Sequence, residues 1–146
     1  MTGEKIYEHE LDVTGMTDYG VPLDAILSGQ APVPPQGVRI DVAFDGHGSG
    51  RLTGRVHGTD FARMRADGRV DLDIRATFET ADGQRIALSA DGVAVPRANE
   101  PVADLFENVT LSTACAPYAW VNARQIWGVG TVNFATGKIR VAGYMQ

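Results

Sequence analysis

Tyr118, Trp120 and Asn122 stand at every second position. In an extended strand all three emerge on one side, because successive side chains alternate across a sheet. An aromatic pair with an amide beside it can stack on a planar ligand and hydrogen-bond its polar edge. The competing reading is a core aromatic next to an asparagine that satisfies buried backbone groups. Asp60 follows Gly58-Thr59, at a bulge or strand junction where a strand re-aims its side chains. A carboxylate held in a pocket could take a proton from an acidic C–H or O–H group, its pKa raised by burial. His57 lies close enough to share that work. The alternative for Asp60 is a turn aspartate bonded to its own backbone.

Arg75 is the cation that could bind a carboxylate or enolate. Its role depends on orientation. Val70, Leu72, Ile74, Ala76 and Phe78 point one way, and Asp71, Asp73, Arg75, Thr77 and Glu79 the other. If the apolar set lines an interior, Arg75 is outside and pairs with Asp71, Asp73 or Asp91. If that set packs under a helix or a partner subunit, Arg75 enters the lumen. The catalytic candidates are therefore Asp60, Arg75 and Tyr118, and the ligand-contacting candidates Trp120, Asn122, His57 and Asp91, with no metal site. Trp127, among Gly128 and Gly130, reads as packing or subunit interface, since glycines let bulky rings or another backbone approach.

The elements that must position these residues are strands. Alternation over 70–79 is repeated by Ile86, Leu88 and Ala90 against Arg85, Ser89 and Asp91. Ala66-Asp67-Gly68 and Ala81-Asp82-Gly83 flank these runs, and Asp-Gly favours tight hairpins because glycine adopts positive φ freely. Residues from about 51 to 95 thus read as an antiparallel meander. Further strands are expected over 6–13, 38–44, 109–114, 125–134 and 138–144, the last two forming a hairpin around Ala135-Thr136-Gly137. The total of about eight suits an all-β, up-and-down antiparallel barrel of one domain over residues 1–146; a two-sheet sandwich is the rival. Gly46-His47-Gly48-Ser49-Gly50 reads as a hairpin loop. Short helical turns are expected over Pro22–Gly29 and Pro101–Phe106, either of which could cap a barrel mouth.

Composition bounds the partners. The chain has 146 residues, a formal charge of −5 and a pI near 5.0, which argues against a broad nucleic-acid or anionic-membrane surface. Seventeen glycines and seven prolines supply the turns that many short strands need. No apolar run reaches the roughly 20 residues of a membrane helix. Met1-Thr2-Gly3-Glu4-Lys5 lacks a signal peptide's order, and the single cysteine, Cys115, fits a reducing compartment; cytoplasmic location is the expectation. There is no phosphate-binding loop, dinucleotide fingerprint or Gly-x-Ser-x-Gly elbow. His9, His47 and His57 show no metal-ligand spacing. No cofactor is expected.

Three blocks carry a resemblance. They are Val38-Arg39-Ile40-Asp41-Val42-Ala43-Phe44-Asp45-Gly46, the stretch Leu52–Phe61 with Arg65–Thr80, and Tyr118-Ala119-Trp120-Val121-Asn122. Together they resemble the bacterial domain-of-unknown-function 3237 family, from about residue 5 to the C-terminus. The resemblance implies a small β-barrel of lipocalin-like shape, often oligomeric, with no agreed activity. Its polar motif positions fall on Asp60, Arg75, Glu79, Tyr118, Trp120 and Asn122. Where many relatives carry an arginine or aromatic-rich segment, this chain has Ala90–Pro96, implying a smaller or less cationic pocket.

The expectation that follows is a small-molecule barrel for a hydrophobic or aromatic metabolite with an oxygen-rich edge. If it is an enzyme, the chemistry needs shape and acid–base groups only: isomerisation, cyclisation, or addition and loss of water. Asp60 would be the base, Arg75 or Tyr118 the stabiliser of negative charge, and Trp120 with Asn122 the positioning wall. A non-catalytic carrier or sensor, and a structural barrel packed solid, are the alternatives. A homodimer is the expected assembly.

Overall fold

Alternating side chains and tight turns produce a closed barrel. The computed structural model describes every residue from Met1 to Gln146. Its strands are β1 (Glu4–Asp18), β2 (Val38–Gly50), β3 (Gly54–Met64), β4 (Val70–Thr80), β5 (Arg85–Pro96), β6 (Val102–Ser112), β7 (Ile126–Asn133) and β8 (Lys138–Met145). Each pairs antiparallel with the next, and β8 returns to β1, closing the sheet. Closure leaves no free edge. A short helix, α1 (Leu23–Leu27), lies between β1 and β2, and a 3-10 turn spans Ala116–Val121 between β6 and β7.

The apolar face of β4 lines the interior, as do the matching positions of its neighbours: Ile74 pairs with Asp60 on one side and with Ala90 on the other. The expected Asp-Gly turns are present, with Gly68 and Gly83 at φ of +90° and +87°. A register shift between Val13 and Gly15 bends β1 and moves its inward set from Tyr7, His9, Leu11 and Val13 to Met16.

Three expectations are corrected. Gly46–Gly50 is not a loop but the end of β2. Its even-numbered glycines face inward where the wall is crowded: a Cβ at Gly48 would meet the Phe78 and His9 rings at 2.8 and 3.0 Å. Here glycine serves close approach within a strand, not a turn. The segment after Pro101 is not helical; Val102 opens β6, with Ala103 and Leu105 buried inward. Tyr118 and Trp120 are not in a strand; the segment is the 3-10 turn, with proline at its start.

The two ends of the barrel differ. At one end Ile6, Leu52, Phe78, Ile86, Val121 and Ile126 are all 1% exposed or less, so side chains fill it. Each such burial contributes about 1.5–3 kcal/mol. At the other end, where residues 19–37, 65–69, 97–101 and 134–137 connect the strands, the interior is open. Leu23 and Leu27 of α1 lie over that mouth and line the cavity. No helix is long and apolar enough to cross a membrane.

Candidate functional site

The lumen between mouth and floor holds an open cavity of about 120 Å³, several times what one water requires. Aliphatic and aromatic side chains form nearly all of its wall, among them Leu11, Phe44, Leu72, Ile74, Leu105 and Val141. Into this apolar space project two carboxyls, Asp60 and Glu107, with Tyr7 and His9 near the floor. No lysine or arginine lines it.

Asp60 comes from the inward phase of β3, which carries Val56, Asp60, Ala62 and Met64. The β3–β4 ladder pairs Asp60 with Ile74 and resumes at Arg63–Asp71 in the same register. In the gap the Asp73 N–H donates to the Asp60 carboxylate at 3.0 Å. The side chain is thus anchored in the wall without any break in register, rather than at a bulge. Burial pushes its pKa up to about 6; the Asp73 N–H opposes this, and the charges of Asp73 and Asp41 add to it.

Glu107 occupies the inward phase of β6 between Leu105 and Val109. Its flanking partners are both glycines, Gly92 on β5 and Gly128 on β7. A Cβ at Gly128 would come within 3.0 Å of Glu107 Cβ and Oε1, so the side chain lies over that glycine. Burial raises its pKa to about 7, and the charge on Asp60 adds to the rise. Asp60 ionises first, and Glu107 must then ionise against that charge. Near neutral pH the lumen therefore contains one carboxylate and one carboxyl close to its midpoint of ionisation, a pairing suited to acid–base work.

At the floor, the Tyr7 and His9 rings stack with centroids 3.9 Å apart and planes 13° from parallel. Tyr7 fits because Gly143, its partner on β8, has no side chain: a Cβ there would collide with the ring. His9 is 5% exposed, and its Nε2 is buried with no hydrogen-bond partner. Burial lowers its pKa to about 3, so the ring stays neutral. Burial, and next the nearby Glu107, raise the Tyr7 hydroxyl above its ordinary value.

Of the residues singled out from sequence, Asp60 alone reaches the lumen. Arg75 is outside, its side chain 74% exposed and its guanidinium 3.9 Å from Asp73. The inward apolar phase of β4 decides this. His57 is also outside, with Nε2 3.1 Å from Glu79 Oε1, and Asp91 is exposed opposite Asp73 and Asn108. Tyr118 and Trp120 lie in the 3-10 turn and Asn122 caps its C-terminal end, all at the closed end of the barrel. There the Tyr118 hydroxyl donates to Asp82 at 2.7 Å, and the Arg51 guanidinium lies 3.8 Å from the Trp120 ring centroid. Asn122 accepts from the Thr113 N–H at 2.8 Å and donates to the Thr113 carbonyl at 2.9 Å, tying down the chain after β6. This is the backbone-satisfying role, not a ligand wall.

Sequence reasoning missed Glu107, Tyr7 and His9. The signal for Glu107 is present as a lone carboxylate in the apolar phase Ala103, Leu105, Val109, Leu111. A strand that begins at Val109 leaves Glu107 outside its phase, whereas β6 begins at Val102.

Solved structures of the same shape are known. A protein of unknown function from Clostridium acetobutylicum superposes with a TM-score of 0.79 at 18% identity, covering 99% of this chain and 97% of that one. A β-barrel-like protein from Acinetobacter baumannii gives 0.75 at 19% identity, over 99% and 94%. An enzyme from Penicillium herquei gives 0.65 at 18%, over 100% and 97%. At these identities the likeness establishes the fold. No functionally curated protein matches. Residues 21–144 match the model of a protein family of unknown function, DUF3237; that match spans most of the barrel, and the chain belongs to this family.

Proposed function

We propose that the barrel binds a small, largely apolar molecule in its lumen and moves a proton on it, with Asp60 as the base. The observation that carries this reading is the pair of carboxyls held in a lumen that is otherwise apolar and offers them no cation. Buried carboxyls without an opposite charge are costly, and such groups in a cleft are candidates for a functional site. The open cavity favours a ligand over a solid core. The reaction class is isomerisation, cyclisation, or addition and loss of water on a hydrophobic or aromatic metabolite. That a structural relative from Penicillium herquei is an enzyme is consistent with catalysis on this scaffold.

The test is a thermal-shift screen against neutral apolar ketones, alcohols and arenes, followed by product analysis. A ligand at 100 times its dissociation constant stabilises the fold by about 2.7 kcal/mol. Asp60→Asn should retain binding and lose at least about 100-fold in turnover. A carrier, favoured by the near-continuous apolar lining, would bind without conversion and tolerate Asp60→Asn. No shift across the panel would overturn both.

Self-association belongs to the same proposal. Phe106 and Trp127, exposed on the adjacent strands β6 and β7, offer an uncharged apolar contact for a second copy. The compartment proposed is the cytoplasm, where the half-buried thiol of Cys115 would stay reduced.

A further inference from the structure

One row of paired residues crosses the lumen wall from β5 to β1: Gly92, Glu107, Gly128, Gly143 and Tyr7. The glycines strip the wall between the two functional side chains, which then lean over it toward each other. The Tyr7 ring lies on Gly143 with Cζ, the carbon bearing the hydroxyl, nearest to where a Cβ would be. The hydroxyl therefore extends past Gly143 toward β7. Glu107 Oε1 lies over Gly128 from the other side. Gly128 and Gly143 are directly paired, and paired residues are about 4.5–5.5 Å apart. The two oxygen-bearing ends thus lie over adjacent glycines without a hydrogen bond between them, and the charge of Glu107 reaches the Tyr7 hydroxyl. Asp60 stands three strands away around the wall, its row shifted from that of Glu107 by one inward position: Ala62, not Asp60, leads through Leu72 and Gly92 to Glu107.

We propose that the Tyr7 hydroxyl and the Glu107 carboxylic acid form a single oxygen-binding pair facing Asp60 across the lumen, and that the substrate is a ketone with an acidic C–H beside its carbonyl. The proposal rests on the lumen being the ligand site and goes further by naming the reacting group. The Asp60 carboxylate removes the proton alpha to the carbonyl. The C–H electron pair becomes a C=C bond, and the carbonyl π pair moves onto oxygen. There Tyr7 and Glu107 donate hydrogen bonds to the developing charge, in a dry site where such donors act strongly. In simple exchange the proton on Asp60 is replaced by one from solvent, which Asp60 then delivers to the same carbon; in a double-bond shift Asp60 delivers the proton to the far end of a conjugated system. Atoms and electrons balance without an oxidant or reductant. His9 is neutral and stacked beneath Tyr7, which fixes the phenol ring, while the lack of a lumen cation disfavours substrates that bring a carboxylate.

The experiment follows α-proton exchange of 1-tetralone in D₂O by NMR, with 1,2-dihydronaphthalene as a binding control without the carbonyl. Wild type should accelerate exchange, with a rate that falls above about pH 7 as Glu107 loses its proton. Tyr7→Phe should lower exchange about tenfold or more and leave hydrocarbon affinity unchanged. Glu107→Gln, a neutral and weaker donor, should slow exchange severalfold and abolish the alkaline decline. Undiminished exchange in Tyr7→Phe, or equal losses for ketone exchange and hydrocarbon binding, would overturn the proposal. Hydrocarbon and ketone binding with no exchange would overturn it alone, leaving the lumen as a carrier site. Binding of neither would overturn the lumen reading with it.

Discussion

Replacing Glu107 by glutamine should stabilise the barrel, and the gain should depend on pH. In the unfolded chain this carboxyl ionises near its ordinary value of 4.5, and in the barrel at about 7. A folded-state pKa above the unfolded one means that the native protein holds a proton the unfolded chain has released. Stability is therefore lost as pH rises between those two values, and the loss is complete above the folded value. At about 1.4 kcal/mol for each pH unit, the raised pKa corresponds to up to about 3 kcal/mol, less to the extent that lumen water solvates the carboxylate. Glutamine has the same shape and no ionisation. Wild type and Glu107→Gln should be nearly equal in urea unfolding at pH 4 and diverge by about 1–3 kcal/mol at pH 8.5. For a domain of this size that is a rise in Tm of roughly 3–10 °C at the higher pH. Asp60, raised from 3.8 to about 6, should show the same sign in Asp60→Asn, with the divergence complete at lower pH. A difference between wild type and Glu107→Gln that is constant from pH 4 to 8.5, or reversed, would refute the claim that this carboxyl is buried without a partner.

Other consequences are local. Gly143→Ala places a methyl into the Tyr7 ring and should cost about 3 kcal/mol by overpacking; in a Tyr7→Ala background that cost should fall below about 1 kcal/mol, as a double-mutant cycle in denaturant would show. Asn122→Ala removes both hydrogen bonds to Thr113 and should destabilise by about 1–2 kcal/mol without changing ligand affinity. Leu27→Asp, at the mouth, where Leu27 is 45% exposed, should alter stability by less than about 1 kcal/mol yet weaken binding of an apolar ligand about tenfold by isothermal titration.

The barrel was legible because period-two alternation and Asp-Gly turns are local signals, and β4 with its two turns displays both. Where the expectation failed, glycine and proline carried a meaning that only the closed sheet supplies. Gly46 and Gly48 look like loop residues until β1 and the Phe78 ring are placed against them. Pro101-Val102-Ala103-Asp104-Leu105 has the look of a helix start, but pairing with β5 and β7 overrides so short a propensity. The candidate site was half legible. Asp60 stands out in the sequence for its chemistry and lies in the lumen wall, though its anchor is the Asp73 amide across the ladder rather than a bulge. Tyr118, Trp120 and Asn122 were placed together correctly as neighbours and wrongly as a pocket, since a 3-10 turn sets their directions and the chain carries them to the closed end. Glu107 needed the full extent of β6 before its phase could be read. The Tyr7–Glu107 juxtaposition crosses a hundred residues of sequence and exists only once β8 closes on β1.

A lumenal ligand site is tested most directly by filling the lumen from its wall. Ala62 faces the cavity two residues beyond Asp60, and Ala62→Phe would place a ring in the space assigned to the ligand, while Trp120→Ala alters only the closed end. Affinity for 1-tetralone and 1,2-dihydronaphthalene would be measured by titration calorimetry on both variants, with circular dichroism to confirm the barrel. Binding should be lost in Ala62→Phe and retained in Trp120→Ala; binding retained in a folded Ala62→Phe and lost in Trp120→Ala would place the ligand outside the lumen.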